Sequence, residues 1–125
     1  MREIRFRGKC IEDCELKGQW LYGHYLKSAS HFIAVDQGLV DGHFKLYQVD
    51  PKTVGQYTGL KDRNGREIYE GDVVKVGMDE RITSVSYEAG CFNTIIDDIR
   101  YRLGGWETES VEVLGNKFDH PHLLS

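Results

Sequence analysis

The chain has 125 residues, 40% of them hydrophobic and 29% charged, with a formal net charge of −4. That composition excludes a disordered chain and provides for one ordinary domain or two small lobes. No apolar stretch reaches the roughly 20 residues that cross a bilayer, which excludes a helical membrane span within these residues.

Charge is uneven along the chain. Eight Lys/Arg face seven Asp/Glu through residue 55, and eight face 13 beyond it, giving +1 and −5. An acidic C-terminal half repels phosphate and disfavours sequence-independent nucleic-acid binding there. The N-terminus, Met1-Arg-Glu-Ile-Arg-Phe-Arg7, lacks the apolar core of a signal peptide. The odd set of cysteines, Cys10, Cys14 and Cys91, suits free thiols in a reducing compartment. A cytoplasmic protein is the expectation.

In chain order, Ile4 and Phe6 alternate with Arg5 and Arg7, which is the period of a strand. Residues 10–18 are polar and read as a turn or hairpin loop. Residues 19–26 form an aromatic-rich strand, with Gly23 marking a bulge or a close backbone approach. Residues 31–35 are a third strand. Asp36-Gln-Gly38 and Asp41-Gly42 signal turns, a short strand is possible over 44–49, and Asp50-Pro51 opens another turn.

Asp62-Arg-Asn-Gly65 is the sharpest local signal. Asn64-Gly65 tolerates positive φ, and the Asp62 carboxylate is placed to cap the turn. Glu70-Gly71-Asp72 is a kink that leads into the β-branched strand Val73–Val76. Residues 81–87 alternate imperfectly, Gly90 breaks them, and 91–96 read as a further strand. Ile99 and Leu103, four apart, admit one or two helical turns before Gly104-Gly105. Val111, Val113 and Leu114 mark a last strand, and Pro121 with Leu123-Leu124 forms an apolar tail that should dock on the body.

The constellations that carry chemistry are weak. Asp62, Asn64 and Glu67 do not have the spacing of a calcium loop, because Glu67 stands where a glycine is required. Cys10 and Cys14 are a C-x3-C pair that His120, His122 or Cys91 would have to complete into a zinc site, and nothing in the sequence brings these together. Cys91 has no base signature nearby and reads as a small buried hydrophobe. The acids Asp97-Asp98 and the pair Glu107 and Glu109 read as a solvated edge. No cofactor, metal or catalytic residue is expected, and an enzyme is the least favoured class.

Trp20, Tyr22 and His24 share one face of their strand. Such a row either fills the core of a small β-domain or stacks ligands, and the core reading is preferred. The ligand reading joins Trp20 and Tyr22 to a basic edge of Arg5 and Arg7, with Arg2 and Lys9, if the two strands pair.

The segments Met1–Gly8, Gly18–Tyr25, Thr53–Val74, Val111–Asn116 and Pro121–Leu124 together resemble the YopX family of small proteins from phages and prophages of Gram-positive bacteria. The resemblance covers nearly the whole length and is densest in Thr53–Val74. It implies a β-rich fold with an SH3-like barrel portion. It supplies no activity and no catalytic residues. Cys10 and Cys14 stand where the family usually has polar turn residues.

The resulting expectation is an all-β protein. A small antiparallel sheet over residues 1–54 would pack on an SH3-like barrel or roll over 55–125, with a short helix admitted near Ile99. Ile4, Phe6, Trp20, Tyr22, Ile33, Val35, Ile68, Val74, Val76, Val85, Phe92 and Val113 should supply the core, each large side chain contributing roughly 1.5–3 kcal/mol on burial. Asp62, Asn64, Gly65, Gly71 and Asp72 are expected to shape turns. The expected function is a non-catalytic accessory protein that binds an unknown host or phage protein, and the candidate binding surface is Arg5, Arg7, Trp20 and Tyr22, the residues that the nucleic-acid reading uses together with Arg2 and Lys9. The alternative is a nucleic-acid-binding module. Self-association through edge strands is admitted.

Overall fold

The computed structural model describes residues 4–36, 44–78, 80–88, 90–96, 99–103 and 110–124. The turn signals at Gln37-Gly38 and Asp41-Gly42, the acids Asp97, Asp98, Glu107 and Glu109, the Gly104-Gly105 stop and Arg2 lie outside the described residues. The fold is all-β, with several antiparallel sheets. Among the described residues no helix is long and apolar enough to cross a membrane. The chain divides into two compact units, Met1–Gln56 and Tyr57–Ser125.

The first unit is a meander of β1 (Phe6–Lys9), β2 (Trp20–Lys27), β3 (His31–Asp36) and β4 (Phe44–Gln48). Gly55 and Gln56, the first residues of β5 (Gly55–Lys61), pair with β1 on its other side. Strand β2 changes partner midway. Trp20–Gly23 pair with β1 and His24–Lys27 with β3. Gly23 sits at this handover because a Cβ there would collide with the carbonyl oxygen of Ala34.

The inward face carries Leu21, Ile33, Val49 and Cys10, with Phe6, Tyr25, Val35 and Tyr47 packed against them. Phe6 and Tyr25 rings lie 5.4 Å apart, and the Tyr25 hydroxyl meets His31 Nδ1. Beyond β4, the Asp50 carboxylate accepts from Lys52 N at 3.0 Å and caps a 3₁₀ turn at Pro51–Thr53. The Thr53 hydroxyl there donates to Asp50 O at 2.7 Å and accepts from Lys9 N at 2.9 Å.

Three expected core residues are not core. Ile4 is 65% exposed, Tyr22 is exposed and Trp20 is only half-buried. Side chains alternate along a strand, so burying Leu21 and Tyr25 turns Trp20, Tyr22 and His24 outward together. Cys10, expected in a polar loop, instead pairs with Val49 in an isolated bridge and is buried.

In the second unit, β5 and β6 (Glu67–Tyr69) form a hairpin. One three-stranded sheet orders β12 (Val111–Asn116), β7 (Asp72–Val76) and β8 (Arg81–Ser84). Another orders β11 (Ile99–Arg102), β10 (Cys91–Ile96) and β9 (Ser86–Glu88). Their core is Ile68, Val74, Val85, Phe92, Val111 and Val113, with Leu60, Val76 and Leu103 partly buried beside it. The Thr83 hydroxyl on β8 donates to Ile95 O on β10 at 2.9 Å.

The helix admitted near Ile99 is a strand. Residues Ile99–Arg102 pair with Ile96–Asn93, so β10 takes the backbone groups that a helix bonds internally. All four residues of β11 are exposed, and Arg100 pairs with Glu88 at 2.7 Å. The C-terminal tail forms a 3₁₀ turn at Pro121–Leu124 without a buried residue, so its expected docking is at most shallow.

The hairpin turn is held by one carboxylate. Asp62 Oδ1 accepts from Asn64 N at 2.9 Å and Arg66 N at 2.8 Å. Its Oδ2 accepts from Val113 N at 2.9 Å, 51 residues away on β12. Only Gly65, at φ 82°, takes the left-handed conformation; Asn64 does not. Gly71 (φ 94°) makes the later kink, and the Asp72 carboxylate accepts from Tyr69 N at 2.8 Å.

Burial of Asp62 opposes its charge, but the donors Val113, Arg66 and Asn64, with the Arg66 charge, outweigh it and hold the carboxyl below the usual aspartate range. Asp62→Ala strands these N–H groups and should lower stability by about 2–4 kcal/mol. The unfolded chain takes up the proton first on acidification. The Asp62 contribution is therefore complete above the ordinary aspartate pKa and lost as pH falls through the depressed folded value. Urea unfolding of wild type and Asp62→Ala from neutral into acid should show the difference narrowing; a gap independent of pH contradicts this assignment.

Candidate functional site

The outward face of the first unit gathers the side chains that its inward face leaves over. In the β1–β2 ladder Arg7 stands opposite Tyr22 and Lys9 opposite Trp20, so the two strands do pair and these residues share one face. The Arg7 guanidinium carbon lies 4.7 Å from the Trp20 ring centroid and Lys9 Nζ lies 5.6 Å from it. Both are cation–π distances. Arg7 is only 6% exposed, so this cation supports the indole more than it offers itself to a ligand.

The same face continues across β3 and β4. His24 is opposite Ala34, Ala34 opposite Leu46, and Asp36 opposite Phe44. The His24 and Phe44 rings meet edge to face at 5.4 Å. Tyr22, Leu26, Phe44 and Leu46 are each between 44% and 49% exposed. A groove of about 320 Å³ runs between Tyr22, His24 and Phe44, floored by Ala34 and flanked by Arg5 and Asp36. Ala34 opens this groove because its methyl is the smallest side chain in the row.

Sequence reasoning put Trp20, Tyr22 and His24 on one strand face and Arg5 and Arg7 beside it, but missed Leu26, Phe44 and Leu46. The exposed half of β4 could have been found only from its register with β3. Short apolar alternation does not say which face is wet.

The second unit has a somewhat smaller cavity, of about 270 Å³, beside Arg63, Lys75, Glu80 and Glu112. Lys75 Nζ lies 3.4 Å from Glu112 and 3.9 Å from Glu80, so its charges are matched within the protein. Cys91 Sγ donates to Glu88 O at 3.6 Å and Asn93 Oδ1 at 3.5 Å. Neither acceptor is a base that would activate a thiol. His120 Nδ1 accepts from Asn116 N at 3.2 Å and serves the last turn.

The loop between β1 and β2 adds a grouping that the sequence did not single out. Cys10, Glu12 and Cys14 do come together, their donor atoms all within 4.8 Å of one another. Burial pushes the Cys10 thiol up, with Cys14 and the Glu12 charge adding to the rise against a Glu12 backbone hydrogen bond.

Compared with known proteins, the chain matches the family model described as YopX protein over residues 5–125. No curated protein matches it.

The groove depends on the close approach of β2 to β3. Gly23→Ala forces a methyl against backbone that cannot move alone, and should cost about 1–3 kcal/mol in urea unfolding, as overpacking does. Unchanged stability contradicts the close approach.

Proposed function

The chain belongs to the YopX family of phage and prophage proteins, and from that premise we propose that it is a non-catalytic accessory protein that binds another protein through the outward face of its first unit. One observation carries this reading: Tyr22, Leu26, Phe44 and Leu46 stand half-exposed on a single sheet face beside Arg5 and the Arg7–Trp20 pair. Soluble monomers rarely leave contiguous apolar area in water without a use for it. Tyrosine, tryptophan and arginine are also the side chains that dominate binding energy at protein interfaces. In this reading the second unit is an SH3-like barrel or roll that serves as scaffold, and the protein works in the host cytoplasm.

Nucleic-acid binding is the second reading, because Arg5, Arg7 and Lys9 line one edge of the aromatic row. It is weaker on two counts. Arg7 is buried against Trp20, which occupies a ring face that a base would stack on. The net charge of −4 also opposes phosphate.

The test is capture from host lysate at physiological salt, using wild type and a Tyr22→Glu/Leu46→Glu variant of unchanged circular dichroism. Wild type should enrich a specific protein that the variant loses. Background alone, or equal capture by both, overturns the reading. Retention of a nucleic acid whose binding falls steeply with salt selects the second reading instead.

A further inference from the structure

The β1–β2 loop carries chemistry that a docking face does not need. Cys10-Ile-Glu-Asp-Cys14 places two thiols and a carboxylate at alternate positions, and their donor atoms lie within 4.8 Å of one another. Around one tetrahedral ion with metal–sulfur bonds of ~2.3 Å, neighbouring donors stand roughly 3.5–4 Å apart. The three side chains thus need only a small contraction to share an ion.

The loop backbone is fixed independently of any ion. Cys10 N donates to Gln19 O at 3.0 Å and Gly18 N to Cys10 O at 2.8 Å, which closes the loop. Cys14 N donates to Glu12 O at 2.9 Å, a tight turn that holds these two residues together. Lys17 N donates to Cys14 O at 3.1 Å. Glu12 is half-buried, and its carboxylate makes no ion pair with any described residue.

We propose that Cys10, Glu12 and Cys14 form a binding site for a soft divalent cation of zinc's class. Two sulfur donors select such an ion over calcium or magnesium, which take oxygen ligands. Uptake exchanges protons for metal: two thiols lose their protons, both sulfurs and one carboxylate oxygen bond the cation, and two protons leave to solvent. Cys10, 1% exposed, roots one ligand in the core, and exposed Cys14 gives the ion its way in. The fourth tetrahedral position is open to water or to a ligand from outside. A doubly charged cation beside Cys10 reverses the penalty that burial places on its thiolate. The site ties the loop to the core cluster and stabilises the folded state by mass action. It stands apart from the protein-docking reading and survives the failure of that reading.

The test titrates the reduced full chain with cadmium, read by thiolate-to-metal ultraviolet absorption, and with zinc, read by competition against a chromophoric chelator. One equivalent should bind, the melting temperature should rise, and Cys91→Ser should behave as wild type. Cys14→Ser, an exposed position where folding is retained, should weaken binding by roughly 100-fold or more, beyond the 10–100-fold that supporting partners cost. Glu12→Gln should weaken it as well. Absence of thiolate absorption, or unchanged affinity in Cys14→Ser or Glu12→Gln, overturns the proposal.

Discussion

The Asp62 carboxylate does two tasks at once, and the second unit is organised around both. One oxygen closes the hairpin turn by accepting from Asn64 and Arg66, and the other accepts from Val113 on β12. A local turn is thereby joined to a strand 51 residues later. The union is direct, because the donors are backbone N–H groups whose positions the strands already fix. A buried carboxylate without them would surrender its charge or its burial. With them it stays ionised, and the turn is tied through Val113 to a strand whose Val111 and Val113 belong to the core.

In the first unit the controlling constraint is steric. Strand β2 serves two partners in turn, and the handover falls at Gly23, where backbone meets backbone. Once that register is set, every side chain of β1 to β4 has its face assigned. Leu21, Ile33 and Val49 go inward; Tyr22, His24, Phe44 and Leu46 go outward. The apolar surface to which we assign partner binding is thus a by-product of the same alternation that builds the core. The Arg7–Trp20 stack keeps the large ring ordered on that face.

The loop at Cys10–Cys14 shows how short spacing acquires meaning from backbone geometry. Hydrogen bonds that merely close the β1–β2 connection also converge two thiols and a carboxylate. Cys10 is at once a core residue and a donor, which couples chemistry at the loop to packing beneath it.

Strand period, glycine kinks and the Asp62–Gly65 turn were legible in the chain itself, because each rests on local φ/ψ preference and on side chains within a few residues. The all-β class and the likeness to the YopX family were legible for the same reason: long ordered motifs of glycine, aromatic and aliphatic residues. Which face of β2 would be wet was not, since alternation is symmetric until register picks a side. The strand at Ile99–Arg102 was hidden because a pair four residues apart fits a helical turn as well as a strand, and only pairing with β10 decides. The bond from Val113 to Asp62 and the convergence of Cys10, Glu12 and Cys14 were likewise decided by tertiary structure alone. Contacts across a folded chain depend on where distant or turning backbone is brought together, and residue identity does not encode that distance.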